Sequence, residues 1–279
     1  MHGARAARTV ALLGFFVVFS ASAREIDSRG TYNGFFQSRQ HPGLWGLMTF
    51  KIGDVNNHRA MGMVTMLIGG AVEVPFPVDL TVSTSGEFTG NGRGPGGKVQ
   101  FHGQIMFLDG GAAVADATYF LMPSEVQPPE PDRGTATVIR NFVVGPDRQL
   151  PLIGGIWDGL ATSSIDGSQS TFHLDVTQTC TEGRPGTMFF GKEVIDPNMP
   201  FIFQGSINGD GRFVVAGWSF TNDRFIVIGS YQQPPDPGKP ATAMANYTLM
   251  FGNGFTDRGT FDMMQRGIPP DPCKPISGQ

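Results

Sequence analysis

The stretch FIFQGSINGDGRFVVAGWSF, residues 201–220, decides the fold class of this chain. It holds two apolar, β-rich segments on either side of Asn208-Gly209-Asp210-Gly211. Asn, Asp and Gly tolerate the positive φ angles of tight hairpin turns, so the stretch predicts two antiparallel strands. Similar short segments, bounded by Gly, Pro, Asn or Asp, follow one another along the chain, and no stretch after residue 23 favours a long helix.

These segments fall into two sets of eight. In the second half of the chain they cover residues 156–162, 171–179, 187–190, 201–207, 212–220, 224–232, 242–251 and 259–265. In the first half they cover residues 31–38, 46–52, 60–68, 76–83, 87–90, 98–108, 112–122 and 135–144. Segments 61–68 and 224–231 are apolar on both faces, which predicts burial at a contact between the two halves.

The two halves also match each other at a shift of 125 positions. The matching motifs occur in the same order: GTYNG 30–34 with GIWDG 155–159, PF 75–76 with PF 200–201, GEF 86–88 with GRF 211–213, and RGT 133–135 with RGT 258–260. We interpret this order as a duplication with units at 30–143 and 154–266. The predicted fold is all-β, with two tandem antiparallel β-barrel units of about eight strands each.

The opening of each unit resembles that of a known family. Gly155-Ile156-Trp157 is similar to the Gly-x-Trp opening of lipocalins in the calycin group, which also holds the avidins, and Gly30-Thr31-Tyr32 departs from it by its Tyr. The resemblance implies up-and-down β-barrels. It also implies that a basic residue from the last strand, Arg140 or Arg266, packs over Tyr32 or Trp157 by a cation–π contact. No set of residues matches an avidin biotin site, so the resemblance implies a fold and not a ligand.

The first 23 residues have the pattern of a secretory signal peptide. Arg5 and Arg8 precede an apolar run over residues 10–19, and Ala21-Ser22-Ala23 is a small-residue cleavage site. The run is shorter than the roughly 20 residues that a membrane-spanning helix needs, and no later segment is long and apolar enough. We therefore expect cleavage after Ala23, a mature chain without a transmembrane helix, and a secreted or periplasmic protein.

Two cysteines, Cys180 and Cys273, remain in the mature chain. In an oxidising compartment an even count favours a disulfide, which would tie the Pro-rich C-terminal tail, residues 267–279, to the second unit. Two unpaired thiols are the alternative, because sequence spacing does not place the two Cα atoms.

Charge and motifs exclude several functions. The net charge is −4, and the basic residues are scattered, so no nucleic-acid partner is expected. The stretch from Gly205 to Gly209 has Ile at the position of a serine nucleophile, and the histidines have no paired spacing. We predict no catalytic residue, no metal site and no cofactor. The Gly-rich segment 90–97 lacks the following helix of a phosphate loop and is predicted to be a flexible hairpin loop.

A barrel interior rich in aromatic residues suggests a function. We predict a non-enzymatic, exported protein that binds a small apolar ligand or serves as an interaction module. The predicted lining residues of the second unit are Phe172, Phe203, Phe213, Trp218, Phe225 and Tyr231. The alternatives are a structural or surface-associated protein whose aromatic residues fill the core, an outer-membrane barrel, and an enzyme with a site assembled from distant strands.

Overall fold

The structure is a computed structural model, and it describes residues 27–41, 44–68, 72–124, 130–145, 148–193, 201–219, 221–233, 239–267, 269 and 271–274. The predicted signal peptide and its cleavage site lie outside these residues, as does much of the predicted tail. No helix in the described part of the chain is long and apolar enough to cross a membrane.

Sixteen strands form two closed antiparallel barrels, which confirms the predicted fold class. The first barrel contains β1 Gly30–Ser38, β2 Trp45–Asn56, β3 Arg59–Ile68, β4 Val72–Val82, β5 Glu87–Gly94, β6 Gly97–Phe107, β7 Ala113–Pro123 and β8 Asp132–Arg140. The second contains β9 Gly155–Ser163, β10 Gln169–Thr181, β11 Arg184–Glu193, β12 Phe201–Ile207, β13 Arg212–Trp218, β14 Arg224–Gln232, β15 Thr242–Met250 and β16 Thr256–Gln265. Each strand pairs with its neighbours in the chain, and β1–β8 and β9–β16 pairs close the two barrels.

Alternation of side chains fixes which residues enter each barrel. In β4, for example, Phe76, Val78, Leu80 and Val82 are buried, whereas the residues between them are exposed. The turn after β12 has the chemistry that its sequence predicts: Asn208 Oδ1 accepts hydrogen bonds from the backbone N–H groups of Asp210 and Arg212. Gly211 closes this turn at a φ of 80°, in the left-handed region that favours glycine.

The Gly-rich segment 90–97 differs from the predicted loop. Its first residues continue β5 as far as Gly94, and β6 begins at Gly97, so the turn itself holds only two residues. Two of the glycines in this strand lie under larger inward side chains of β4. A Cβ added to Gly92 would lie 2.5 Å from Cγ1 of Val78, and one added to Gly90 would lie 2.8 Å from Cδ2 of Leu80.

A third apolar cluster joins the two barrels side by side. Its buried members are Ala112, Val114, Ile139, Phe142, Val214, Ala216 and Ile226, which come from the outer faces of β7, β8, β13 and β14 and from their connections. The prediction of a contact between the units is therefore confirmed for 224–231. It is wrong for 61–68, since β3 lies outside this cluster and Met61 is 74% exposed.

Hydrogen bonds near both ends of this side-by-side contact align the two barrels. Gln37 Nε2, at the end of β1, donates a hydrogen bond to the carbonyl oxygen of Ser219, just after β13. At the opposite ends, the backbone N–H of Phe142 donates to Ser206 Oγ. The end of β1 and the end of β13 therefore lie at the same end of the paired barrels.

The C-terminal segment returns to the second barrel. The sulfur atoms of Cys180, on β10, and Cys273 form a disulfide across a sequence separation of 93 residues, with a Cα–Cα distance of 5.2 Å. This geometry lies within the normal range for a disulfide. The bridge therefore fixes one described part of the chain after β16 to the wall of that barrel.

Candidate functional site

The second barrel encloses a cavity of about 360 Å³. This volume lies within the range of small-molecule sites in proteins. Most of its wall is apolar and aromatic, and the lining residues are Ile153, Trp157, Ala161, Ser170, Phe172, Leu174, Val176, Phe189, Phe201, Phe203, Ile207, Phe213, Val215, Asp223, Phe225, Val227, Tyr231, Ala243, Tyr247, Leu249, Phe251, Asp257, Phe261 and Met263.

The segment before β9 closes one end of this cavity, which we call the base. Ile153 is buried there, and its carbonyl oxygen accepts a hydrogen bond of 2.9 Å from Trp157 Nε1. Buried Gln178 holds the segment: its Oε1 accepts from the Ile153 N–H at 3.1 Å, and its Nε2 donates to the carbonyl oxygen of Pro151 at 3.0 Å. A buried polar side chain that satisfies several backbone groups gives the base a defined structure.

Tyr231 completes the base. Its ring meets Trp157 edge to face, with a centroid distance of 6.1 Å. Burial raises the pKa of Tyr231 above its ordinary value, so the phenol stays neutral at physiological pH.

The other end of the cavity, which we call the mouth, is more exposed. Ala161, Phe225, Leu249 and Phe261 are partly buried, in contrast to the buried residues of the base. Among the described residues, the connections between β9 and β10, β13 and β14, and β15 and β16 lie at this end. A ligand would therefore enter between these connections.

Two carboxylates at the mouth organise the surrounding chain. Asp257 accepts hydrogen bonds from the hydroxyls of Tyr247 at 2.8 Å and Ser163 at 2.7 Å. Asp223 accepts one from Thr221 Oγ1 at 2.6 Å and one from the backbone N–H of Gly252 at 2.9 Å. The first carboxylate thus links β9, β15 and β16, and the second links two of the connections around the mouth.

The first barrel contains the same hydrogen-bond network at the equivalent end. Asp132 accepts from Tyr119 at 2.7 Å and from Ser38 at 2.5 Å. Burial, followed by the hydrogen bond to the aspartate, raises the pKa of Tyr119, and the same two causes raise that of Tyr247. Asp132 and Asp257 immediately precede the matched RGT motifs, so the repeat could have revealed both acids, although the sequence interpretation did not use them.

Glycine keeps the centre of the second barrel open. Five phenylalanine rings each lie against a glycine on an adjacent strand, so the rings line the wall. A Cβ added to any of these glycines would lie 2.1–2.6 Å from a ring carbon, and the pairs are Phe172 with Gly159, Phe189 with Gly205, Phe203 with Gly191, Phe213 with Gly229, and Phe225 with Gly217.

The first barrel is filled. It holds an internal space of about 10 Å³ beside Phe50, whose ring lies between those of Phe88 and Phe101 at centroid distances of 5.8 and 6.2 Å. Strand pairing identifies the equivalent positions. Phe50 pairs with Tyr32, and Leu174 pairs with Trp157, so Leu174 is the equivalent of Phe50. In the same way, Phe101 pairs with Tyr119 and Val227 with Tyr247, so Val227 is the equivalent of Phe101. Leucine and valine thus replace the two central rings in the second barrel.

A third position differs in the same direction. The repeat places Phe36 of the first barrel and Ala161 of the second at equivalent positions, 125 residues apart. Phe36 pairs with Gly46, and Ala161 pairs with Ser170. Phe36 is buried, and its ring meets Tyr119 edge to face. The alanine removes this ring close to the mouth.

Five of the six aromatic residues predicted to bind a ligand line the cavity, and Trp218 does not. Trp218 lies between the barrels, with its ring centroid 3.5 Å from that of Phe35. The reason is strand alternation: Phe213 and Val215 face into the barrel, so Trp218 faces out. The cavity residues that the sequence interpretation missed include Phe189, Phe201 and Phe261, which alternation within their strands could have identified.

The two predicted basic residues take different positions. Arg140 lies over the ring of Tyr32 at 5.6 Å from its centroid and donates hydrogen bonds to the carbonyl oxygens of Asp27 and Arg29. Arg266 forms an ion pair with Asp158 on the exposed wall. Each therefore lies near the opening strand of its own barrel.

Asp158 also contacts His173, which gives an exposed Asp–His–Arg group outside the barrel. The hydrogen bond from Arg266 lowers the pKa of Asp158, and His173 adds to this effect. Within the described ranges, no three His, Cys, Asp or Glu residues come together to hold a metal ion.

Comparison with known proteins identifies no family for this chain. No protein-family model matches it, and no curated protein matches it either. A solved structure with a similarity over 86% of this chain and 96% of its own is a protein of unknown function from the DUF3598 family of Nostoc punctiforme PCC 73102. The two share 12% sequence identity, with a TM-score of 0.27.

Proposed function

We propose that this protein binds a small apolar ligand in the cavity of its second barrel. The observation that carries this proposal is the contrast between a cavity of about 360 Å³ in one barrel and a space of about 10 Å³ in the other. Removing an apolar molecule from water into such a cavity is favourable, by about 25 cal/mol for each Å² buried.

The volume sets the size of the ligand. If each non-hydrogen atom takes about 30 Å³, as a water molecule does in the liquid, the cavity holds about a dozen such atoms. A medium-length alkyl chain or a compact bicyclic molecule has this size. The closed base and the mouth at the opposite end favour an elongated ligand that enters with its apolar end first.

Export and membership of the calycin group are further parts of the proposal. The signal-like residues 1–23 and the disulfide between Cys180 and Cys273 support export, since disulfides persist in oxidising compartments. The Gly-x-aromatic openings and the eight-stranded barrels support a calycin-type barrel.

A dye titration tests the ligand proposal. The purified protein is stripped in denaturant, refolded and titrated with 1-aminonaphthalene, a neutral bicyclic dye whose fluorescence changes in apolar surroundings. We expect saturable binding of one dye per chain, and displacement of the dye by decanol. No saturable binding would contradict the proposal.

Filling the cavity locates the dye. The double variant Leu174→Phe/Val227→Phe introduces the two rings that occupy the first barrel, and we expect it to lose dye binding while keeping its β circular dichroism spectrum. Thr171→Phe and Thr260→Phe add a ring to the exposed outer wall instead and serve as matched controls. Equal binding by the filled variant and these controls would place the dye elsewhere.

A further inference from the structure

The mouth of the cavity is negatively charged. Asp223 and Asp257 both line it. A third carboxylate, Asp166, lies nearby: the pKa of Tyr247 is raised mainly by burial, then by Asp257, and by a smaller contribution from the charge of Asp166. Asp166 lies on the β9–β10 connection, Asp223 on the β13–β14 connection and Asp257 at the start of β16, all at the mouth end of the barrel.

The two lining carboxylates have no basic partner in the part of the chain that the structure describes. Among the described residues, no Lys or Arg forms an ion pair with Asp223 or Asp257. The adjacent Arg224 faces away and pairs with Asp116 of the first barrel at 3.2 Å. Arg258 is exposed and, by strand alternation, lies on the outer face.

The carboxylates also keep capacity to accept hydrogen bonds. Within the described ranges, Asp223 Oδ1 accepts one hydrogen bond, from the Gly252 N–H, and Asp257 Oδ2 accepts one, from the Tyr247 hydroxyl. A carboxylate oxygen has two lone pairs, so each of these atoms can accept another donor. An incoming ammonium group would supply such donors.

Aromatic rings lie at the same end of the cavity. Phe225, Phe251 and Phe261 line its more exposed part. The faces of aromatic rings attract cations and give no comparable stabilisation to anions. The rings and the carboxylates therefore favour the same ligand charge.

We propose that the ligand is an apolar amine that carries a positive charge at neutral pH. Its alkyl or aryl part occupies the barrel, and its ammonium group lies at the mouth between Asp223 and Asp257. This inference rests on the proposed function and narrows its ligand class. A fatty acid of the same length would bring its own carboxylate against these acids and is disfavoured by charge repulsion.

Three probes of matched length separate the charge preference from apolar binding. Decylamine, decanol and decanoate are each titrated against the refolded protein by dye displacement at neutral pH, below the concentrations at which they aggregate. We expect decylamine to bind about tenfold more tightly than decanol, and decanoate to bind more weakly than decanol. Raising the salt from about 0.05 M to about 0.5 M should reduce the ratio of decylamine to decanol affinity, because salt screens charges near the surface.

Isosteric variants assign the preference to the mouth. Asp223→Asn and Asp257→Asn should each bring the ratio of decylamine to decanol affinity several-fold closer to one. Asp262→Asn removes an exposed carboxylate from the outer face of β16 and should keep the wild-type ratio. The ratio is internal to each variant, so a general loss of affinity does not affect the result.

The outcomes separate the two proposals. Equal affinities for decylamine and decanol, or tighter binding of decanoate, would overturn the amine proposal and leave apolar binding intact. A wild-type ratio in both mouth variants would overturn it as well. Failure of all three probes to displace the dye, or the absence of dye binding, would instead contradict the proposed function.

Discussion

The two barrels have the same wall and different interiors. Each is closed by eight antiparallel strands, each carries a Tyr–Asp–Ser network at one end, and in each the first inward aromatic donates a hydrogen bond to the carbonyl oxygen four residues earlier. Yet one holds a continuous core and the other a cavity. Strand number and end structure therefore do not determine whether such a barrel is hollow.

The difference comes from a few inward side chains. Phe50 and Phe101 cross the centre of the first barrel, whereas Leu174 and Val227 occupy these positions in the second. The second barrel is not poorer in aromatic residues, but its rings lie along the wall against glycines. Position, more than composition, makes one barrel a structural unit and the other a candidate binding site.

The largest effect is expected from opening the first barrel. The double variant Phe50→Leu/Phe101→Val copies the second barrel and should lower the free energy of unfolding by about 4 kcal/mol, since it removes buried ring atoms and leaves a cavity. Urea denaturation measures this loss, and dye titration should show a second binding site. A stable variant with a single site would mean that other side chains, such as Met48 and Val64, keep this barrel closed.

The second-largest effect is expected from removing the disulfide, which is present in the second barrel unit. It joins two points of the second barrel unit, so Cys180→Ser/Cys273→Ser should lower the stability of that barrel by about 3 kcal/mol and leave the first unchanged. Thermal unfolding followed by the fluorescence of Trp157 would detect the change, with Trp45 and Trp218 replaced by Phe in both the reference and the variant. An unchanged melting temperature would show that the bridge does not stabilise the fold.

Much of this comparison could be predicted from the sequence. The turn residues and the 125-residue shift lead to two eight-stranded units, because strand boundaries depend on local backbone chemistry. The alternation of side chains along β13 would also have placed Trp218 outside the barrel, although the sequence analysis predicted it inside. The strand boundaries and the orientation of Trp218 both depend on residues that are close together in the sequence.

The cavity could not be predicted in the same way. Phe50 and Phe101 meet across the barrel although about fifty residues separate them, and free volume depends on such distant pairs together. The base was missed for a related reason: Ile153 lies in what looks like a linker, and only the folded chain brings Gln178 to it. Of the two mouth acids, Asp257 precedes a matched motif of the repeat, whereas Asp223 could be assigned to the mouth only from the fold.

High pH should lower the free energy of unfolding of both barrels. Near neutral pH, this effect is smaller than that of either substitution above. All four tyrosines of the chain have raised pKa values, mainly through burial, and that of Tyr32 rises to about 12. The unfolded chain ionises its tyrosines near pH 10, as free tyrosine does at about that pH, whereas the native protein keeps them neutral to higher pH. With respect to tyrosine ionisation, the native state therefore has its full stability below about pH 10 and loses it as the pH rises from there through the native pKa values.

Near-ultraviolet absorbance of tyrosinate measures this titration. The native protein should show no tyrosine ionising near pH 10, and all four should ionise together when the chain unfolds at higher pH. Reversible ionisation of one tyrosine near pH 10, with the circular dichroism unchanged, would contradict the burial of that residue. Tyr247→Phe and Tyr119→Phe would then identify the barrel concerned.

The smallest effects separate the two arginines that the repeat places at equivalent ends. Arg140 lies over Tyr32 and donates to backbone carbonyls before β1, so Arg140→Gln should lower the free energy of unfolding by about 1–2 kcal/mol. Arg266 pairs with Asp158 on an exposed surface, and Arg266→Gln should change stability by less than about 0.5 kcal/mol. Urea denaturation of both variants tests the difference. Equal losses would mean that Arg266 supports the base as Arg140 supports the first barrel, and the two ends would then be equivalent in energy as well as in position.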